Sequence, residues 1–151
     1  MIQLDTTDKA IVKRLLENSR ISFVKLAKEL GISNTMVHKR VNNLRKVGLL
    51  KKATFQVDPK VLGYTTEAYT RIKVANPKQI KPIIQKLKQI PEVVSCSNIT
   101  GQYALIIRIY AKDNSALRSI LYNQIHPIDG VASTDTIISF ETSFEKFGLF
   151  S

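Results

Sequence analysis

The chain has 151 residues, 44% of them hydrophobic, which suits one ordinary domain or two small ones with packed cores. No run approaches the roughly 18 apolar residues of a membrane span. The start, Met1-Ile2-Gln3-Leu4-Asp5, is not a basic-then-apolar leader, and one cysteine with two histidines builds neither an internal disulfide nor a zinc site. A net charge of +11 points to an anionic partner, nucleic acid ahead of membrane, for a cytoplasmic protein without metal or cofactor.

The charge is uneven. Residues 1–60 hold 13 Lys+Arg against 5 Asp+Glu, whereas residues 61–151 hold 10 against 7, so the basic excess belongs to the N-terminal part. Two modules with different tasks are expected.

Three helical patterns open the chain. Ile11, Leu15 and Leu16 keep helical spacing behind Thr6, Thr7 and Asp8, which are cap and first-turn residue types. Phe23, Leu26, Ala27 and Leu30 follow Ser22 and stop at Gly31, a residue suited to a helix C-terminus. Ser33 then caps a third helix with Val37, Val41, Leu44 and Val47 inward and Gly48 at its end.

Two short helices around a Gly-centred turn form a helix-turn-helix. The outer face of the third helix carries Asn34, Thr35, His38, Lys39, Asn42, Arg45 and Lys46, with no carboxylate. Amides, hydroxyls and cations on one helical face suit the major groove of double-stranded DNA, where they meet base edges and phosphates. With Ser22, Ser33, Arg40 and Lys52, the residues Asn34, Thr35, His38, Lys39, Asn42 and Arg45 make the candidate DNA-contacting set. The bland alternative is a solvated basic face, and for His38 a plain surface histidine.

Leu49–Val57 contains short β-like runs around Lys51-Lys52, expected as a small wing or hairpin. Asp58-Pro59-Lys60 breaks regular structure. The expected division is therefore a DNA-binding domain over 1–57, a hinge over 58–63 and a second domain over 64–151.

In that second part, residues 64–75 alternate, with Ala68, Thr70, Ile72 and Val74 opposed to Glu67, Tyr69, Arg71 and Lys73. A helix follows on Ile80, Ile83, Ile84 and Leu87, with Pro82 in its first turn. Next come a strand from Val93 to Ile99, a turn at Gly101, and a strand over Tyr103–Tyr110 that is read as apolar on both sides. A helix over about 115–125 and a strand over Val131–Phe140 complete the order βαββαβ, the ferredoxin-like arrangement. The fold class is α+β, a winged helix-turn-helix followed by a ferredoxin-like domain. Helices cover one sheet face, so the other is expected to be covered by a second copy.

The ordered set of segments resembles the Lrp/AsnC (leucine-responsive/asparagine-operon) family of transcriptional regulators. It comprises Leu4-Asp5-Thr6-Thr7-Asp8 with Ile11, Leu26-Ala27, Val37-His38-Lys39-Arg40-Val41 with Leu44 and Gly48, and Asp58-Pro59-Lys60-Val61-Leu62-Gly63-Tyr64. Pro91-Glu92-Val93, Thr100-Gly101-Gln102-Tyr103 and Ser133-Thr134-Asp135-Thr136 complete it.

The resemblance implies a hinge between a DNA-binding domain and an amino-acid-sensing domain, dimers assembling to octamers, and an effector bound between dimers. The implied effector residues are Gly101, Gln102, Tyr103 and Ala104, His126, and Thr134 and Thr136 from a neighbouring dimer. The family's commonest turn reads Gly-Asp-Tyr-Asp. Here it reads Gly-Gln-Tyr-Ala, which is closer to asparagine-responsive members, as is Asn123-Gln124-Ile125-His126-Pro127-Ile128-Asp129. The same turn also reads as an ordinary hairpin with a packed tyrosine.

The leading expectation is a sequence-specific transcriptional regulator that answers to a small amino acid, asparagine or glutamine. The alternative is an architectural DNA-compacting protein whose sheet domain only oligomerises. An enzyme is not expected, because no nucleophile–base pair, P-loop or dinucleotide fingerprint is present. Cys96 lies in an apolar strand and reads as a small core residue.

Overall fold

In the computed structural model, which describes residues 3–145, each of the first three helices starts where a side-chain oxygen accepts a backbone N–H three residues on. Asp5 accepts from Asp8 at 2.7 Å, Ser22 from Lys25 at 3.2 Å and Ser33 from Met36 at 3.1 Å. These caps satisfy donors that a helix N-terminus otherwise leaves unpaired. They open α1 (Thr6–Glu17), α2 (Phe23–Leu30) and α3 (Asn34–Lys46). Gly31, at φ 64°, ends α2 in the left-handed conformation that a side chain disfavours.

The three helices share a core of Ile11, Val12, Ile21, Leu26, Ala27, Val37, Val41 and Leu44. Two expected core residues are outside it: Leu16 is 46% exposed and Val47 49%. Leu16 sits in the last turn of α1 and Val47 is the C-cap residue that follows α3. Val12 takes the buried position on α1 instead. The cap of α1 is Asp5, one residue before the expected Thr6.

The expected hairpin over Leu49–Val57 does not form: residues 51–57 contain no strand. A hairpin needs turn chemistry, and Lys51-Lys52-Ala53-Thr54-Phe55-Gln56-Val57 offers no Gly, Asn or Asp to turn on. The Leu49 and Leu50 amides fold back onto the Leu44 carbonyl, and the Arg20 guanidinium lies 4.4 Å from the centre of the Phe55 ring.

Two compact units result, one reaching Gln56 and taking in Phe144 and Glu145, the other spanning Val57–Ser143. The outermost ends of the expected domains, residues 1–2 and 146–151, lie outside the described residues. The expected hinge is a closed turn. Asp58 accepts the Lys60 N–H at 2.9 Å, and the Pro59 carbonyl accepts from Leu62 and Tyr64 at 3.1 and 3.0 Å.

The second unit contains β1 (Thr66–Val74), α4 (Ile80–Leu87), β2 (Val93–Asn98), β3 (Leu105–Ala111), α5 (Asn114–Ile120) and β4 (Val131–Ser139). A 3₁₀ turn, Pro77–Gln79, leads into α4, and a π-helical turn, Leu121–Ile125, extends α5. The sheet is antiparallel throughout, in the order β2-β3-β1-β4, which is the ferredoxin-like topology. Ala68 and Ile72 of β1 with Leu105, Ile107 and Ile109 of β3 point to one side, where Ile83, Leu87, Leu117, Ile120 and Ile125 cover them.

The uncovered face differs from the apolar surface expected. On β3 it presents Ile106, Arg108 and Tyr110, because Arg108 falls on the outward phase of the alternation. Glu67 of β1 accepts from Arg108 Nε at 2.7 Å, from the Tyr69 hydroxyl at 2.9 Å and from the Thr142 hydroxyl at 3.1 Å. Ile137, 55% exposed, is the apolar exposure on this face of β4. Ion pairs and aromatic rings therefore occupy the sheet centre.

Candidate nucleic-acid interface and effector turn

Helix α3 is held by its apolar stripe, Val37, Val41 and Leu44, which leaves the opposite stripe facing out. Asn34, Thr35, His38, Lys39, Asn42, Arg45 and Lys46 are all exposed. None of them makes a side-chain hydrogen bond or ion pair among the described residues, so their donors and acceptors are available to a ligand. The His38 ring packs edge-on against Phe23, 4.7 Å between centroids, which fixes it beside the start of α2. Beyond the end of α3, Arg45, Leu50, Lys51, Lys52 and Ala53 line a basin of about 440 Å³.

Arg40 is placed differently from the other candidates. Its Nη1 donates to Asp5 at 2.6 Å and to Asp8 at 2.8 Å, which turns it from the outer face toward α1. These carboxylates raise its pKa, the Asp8 hydrogen bond first, and Asp5 is held below the usual carboxylate range by the Asp8 amide and then by Arg40. Ser22 and Ser33 spend an oxygen lone pair on capping and keep their hydroxyl hydrogens.

In the second unit, Gly101 stands at φ 103°, a conformation that suits glycine at this turn. Gln102 is exposed and makes no side-chain hydrogen bond among the described residues. Tyr103 lies beneath the Arg71 guanidinium, 4.8 Å from its ring centre, and Arg71 also pairs with Asp135. Ala104 packs on the core and donates its N–H to the Ile72 carbonyl at 3.0 Å.

The other candidate effector residues lie on the helix-covered side of β4. His126 Nε2 is 2.8 Å from Thr134 Oγ1, and Thr136 Oγ1 is 2.9 Å from Thr70 Oγ1. The Tyr122 ring packs edge-on against His126 at 4.9 Å. One chain thus brings His126 and Thr134 together, while no hydrogen bond joins Gln102 to either threonine among the described residues. Arg71 is the neighbour of the turn that the sequence did not single out. Its signal was the outward phase of β1, but Tyr103 precedes the paired residues of β3, and only the folded loop brings it under Arg71. Cys96 packs against the core and burial pushes its thiol up.

A helix-turn-helix unit joined to a ferredoxin-like unit defines a two-domain DNA-binding regulator. Residues 4–51 match the winged helix-turn-helix DNA-binding family, and residues 67–149 match the Lrp/AsnC ligand binding domain. Regulatory protein AsnC of Escherichia coli K12 is 32% identical over 135 residues, 89% of each chain. A solved structure of E. coli AsnC superposes with a TM-score of 0.90 at 29% identity, covering 97% of this chain and 98% of that one. The Neisseria meningitidis regulator NMB0573, solved as an L-Met complex, shares the fold with a TM-score of 0.89 at 20% identity, over 97% of this chain and 96% of that one. The chain belongs to the Lrp/AsnC family of transcriptional regulators. It is a regulator with a DNA-binding and a ligand-binding domain, and not an enzyme.

Proposed function

We propose that this regulator reads specific duplex sequences through α3 and alters its DNA affinity or assembly on binding asparagine or glutamine. The carrying observation is uncommitted polar groups on two segments that carry no carboxylate of their own, the outer face of α3 and the turn over 101–104. On α3 these are Asn34, Thr35, His38, Lys39, Asn42 and Arg45. At the turn, the exposed Gln102 amide both donates and accepts, which suits an amide ligand, and Ala104 adds no charge. His126, Thr134 and Thr136 complete the effector site across an interface between dimers, and dimers assemble to octamers. The protein works in the cytoplasm, where a bacterial-type regulator meets its duplex. No helix among the described residues is long and apolar enough to cross a membrane.

The test is duplex selection from a random pool by the full-length protein, followed by affinity and light-scattering measurements with each common amino acid. Enriched two-fold-related half-sites about one helical turn apart are expected, with asparagine or glutamine shifting affinity or mass. Binding without enrichment or amino-acid response would favour an architectural role.

A further inference from the structure

The second unit carries a basic surface that the reading above leaves unused. Residues 76–91 contain Lys78, Lys81, Lys86 and Lys88 and no acid, whereas the whole of residues 57–143 has a net excess of only three positive charges. The excess of this unit is therefore concentrated on one helix and its flanks. Ile83 and Leu87 bury one side of α4. Lys78, Lys81, Gln85 and Lys88 recur at helical spacing on the other and are exposed. None of these lysines forms an ion pair among the described residues. Asp129, which borders the same depression as Lys86, accepts instead from Gln79 Nε2 at 3.0 Å.

We infer that the outer face of α4 is a second DNA contact, taking the phosphate backbone through Lys78, Lys81 and Lys88 without reading sequence. The proposal rests on the DNA-binding role of the first unit, since a duplex held there raises the phosphate concentration seen by the rest of the chain. At about 1.5 Å per residue, the stretch from Lys78 to Lys88 spans roughly 15 Å, against about 3.4 Å of duplex-axis rise per phosphate of one strand. The spacing suits three phosphates. A membrane-surface helix would place large exposed apolar side chains beside its cations, but the exposed positions beside these lysines hold Pro82, Gln85 and Gln89.

The experiment measures DNA affinity of the full-length protein against salt for the wild type, K78Q/K81Q/K88Q, the matching triple arginine variant, and K73Q/K112Q as a charge control. Removing three phosphate contacts should flatten the log–log salt slope by about 2.7 for each engaged protomer, so that between 50 and 200 mM salt the wild type loses roughly 40-fold more affinity per engaged protomer than the glutamine variant. Sequence preference should stay unchanged, and the arginine variant and the charge control should keep the wild-type slope. An unchanged slope in the glutamine variant would overturn the proposal and leave α4 for an acidic protein partner. An arginine variant that also flattens would overturn it too, because the effect would then be structural. A wild type that binds no duplex at all would sink the DNA-binding reading itself, an outcome distinct from both.

Discussion

Arg40 on α3 donates from Nη1 to the Asp5 carboxylate at 2.6 Å, and Asp5 is the residue that caps α1. The contact ties the orientation of the outward face of α3 to the start of the first helix. Replacing Arg40 by Ala should lower the melting temperature of the N-terminal unit by a few degrees and weaken all duplexes alike. Lys39→Ala and Asn42→Ala should leave melting unchanged and relax sequence preference instead. Thermal melts paired with binding to cognate and scrambled duplexes separate the two. If Arg40→Ala altered preference without touching stability, Arg40 would be a base reader after all.

Acid should expose the same contact. Asp5 titrates below its ordinary value of 3.8 because it accepts the Asp8 amide and then the Arg40 guanidinium. A depressed folded pKa means that the stabilisation is complete above the ordinary value and drains as pH falls through the lower, folded one. Asp5→Asn should therefore show a shallower loss of helical circular dichroism below about pH 4 than the wild type. Identical acid limbs for the two proteins would remove this linkage.

Lys52, exposed beside the basin at the end of α3, should act as a phosphate contact. Lys52→Ala should weaken every duplex about equally and flatten the salt slope by about one. A change confined to one duplex sequence would contradict this.

Amide recognition at the turn can be tested by calorimetry across the common amino acids. Asparagine and glutamine should bind tightest. Gln102→Ala and Thr134→Val should each cost about 1–3 kcal/mol, because polar groups of the ligand or pocket are left unpaired. Tighter binding of lysine, arginine or leucine would refute the assignment.

Gly130 should be the least replaceable glycine of the second unit. It stands at φ 91°, and an added Cβ would meet Gln79 side-chain atoms at 2.7 and 2.8 Å. Gly130→Ala should cost about 1–2 kcal/mol in backbone strain, with the displacement of Gln79 from Asp129 added. Gly101→Ala, with nothing within 4 Å, should cost the strain alone. Equal melting temperatures for the two variants would count against the Gln79 contact.

Element type and order were largely legible in the sequence because the burial periods are clean. β1 alternates buried and outward residues from Thr66 to Ile72, and α4 buries Ile83 and Leu87 at helical spacing. Periodicity marks a stripe but not where a neighbouring helix stops covering it, so Leu16 and Val47 were misplaced and Val12 overlooked. The β-like residues before Pro59 have strand propensity without a turn or a partner, and propensity alone builds no ladder. At the sites, the exposed face of α3 was readable from composition. The inward turn of Arg40 was not, because its partners Asp5 and Asp8 are remote in sequence and join it only through helix packing. Likewise, the placement of Arg71 over Tyr103 depends on how the loop ahead of β3 folds back and leaves no local mark.

The π-helical turn at Leu121–Ile125 makes chain length itself a determinant of the second unit. Such a turn holds an extra residue within a helix, and it delivers His126 to Thr134. Adding one further residue of ordinary α geometry between Ser119 and Ile125 would swing His126 by about 100° around the helix axis and away from Thr134. Exposed side chains here, Asn123 and Gln124 among them, can vary freely while a second extra residue cannot be absorbed. Among diverging copies of this gene, substitutions should accumulate in this stretch and single-residue insertions should not.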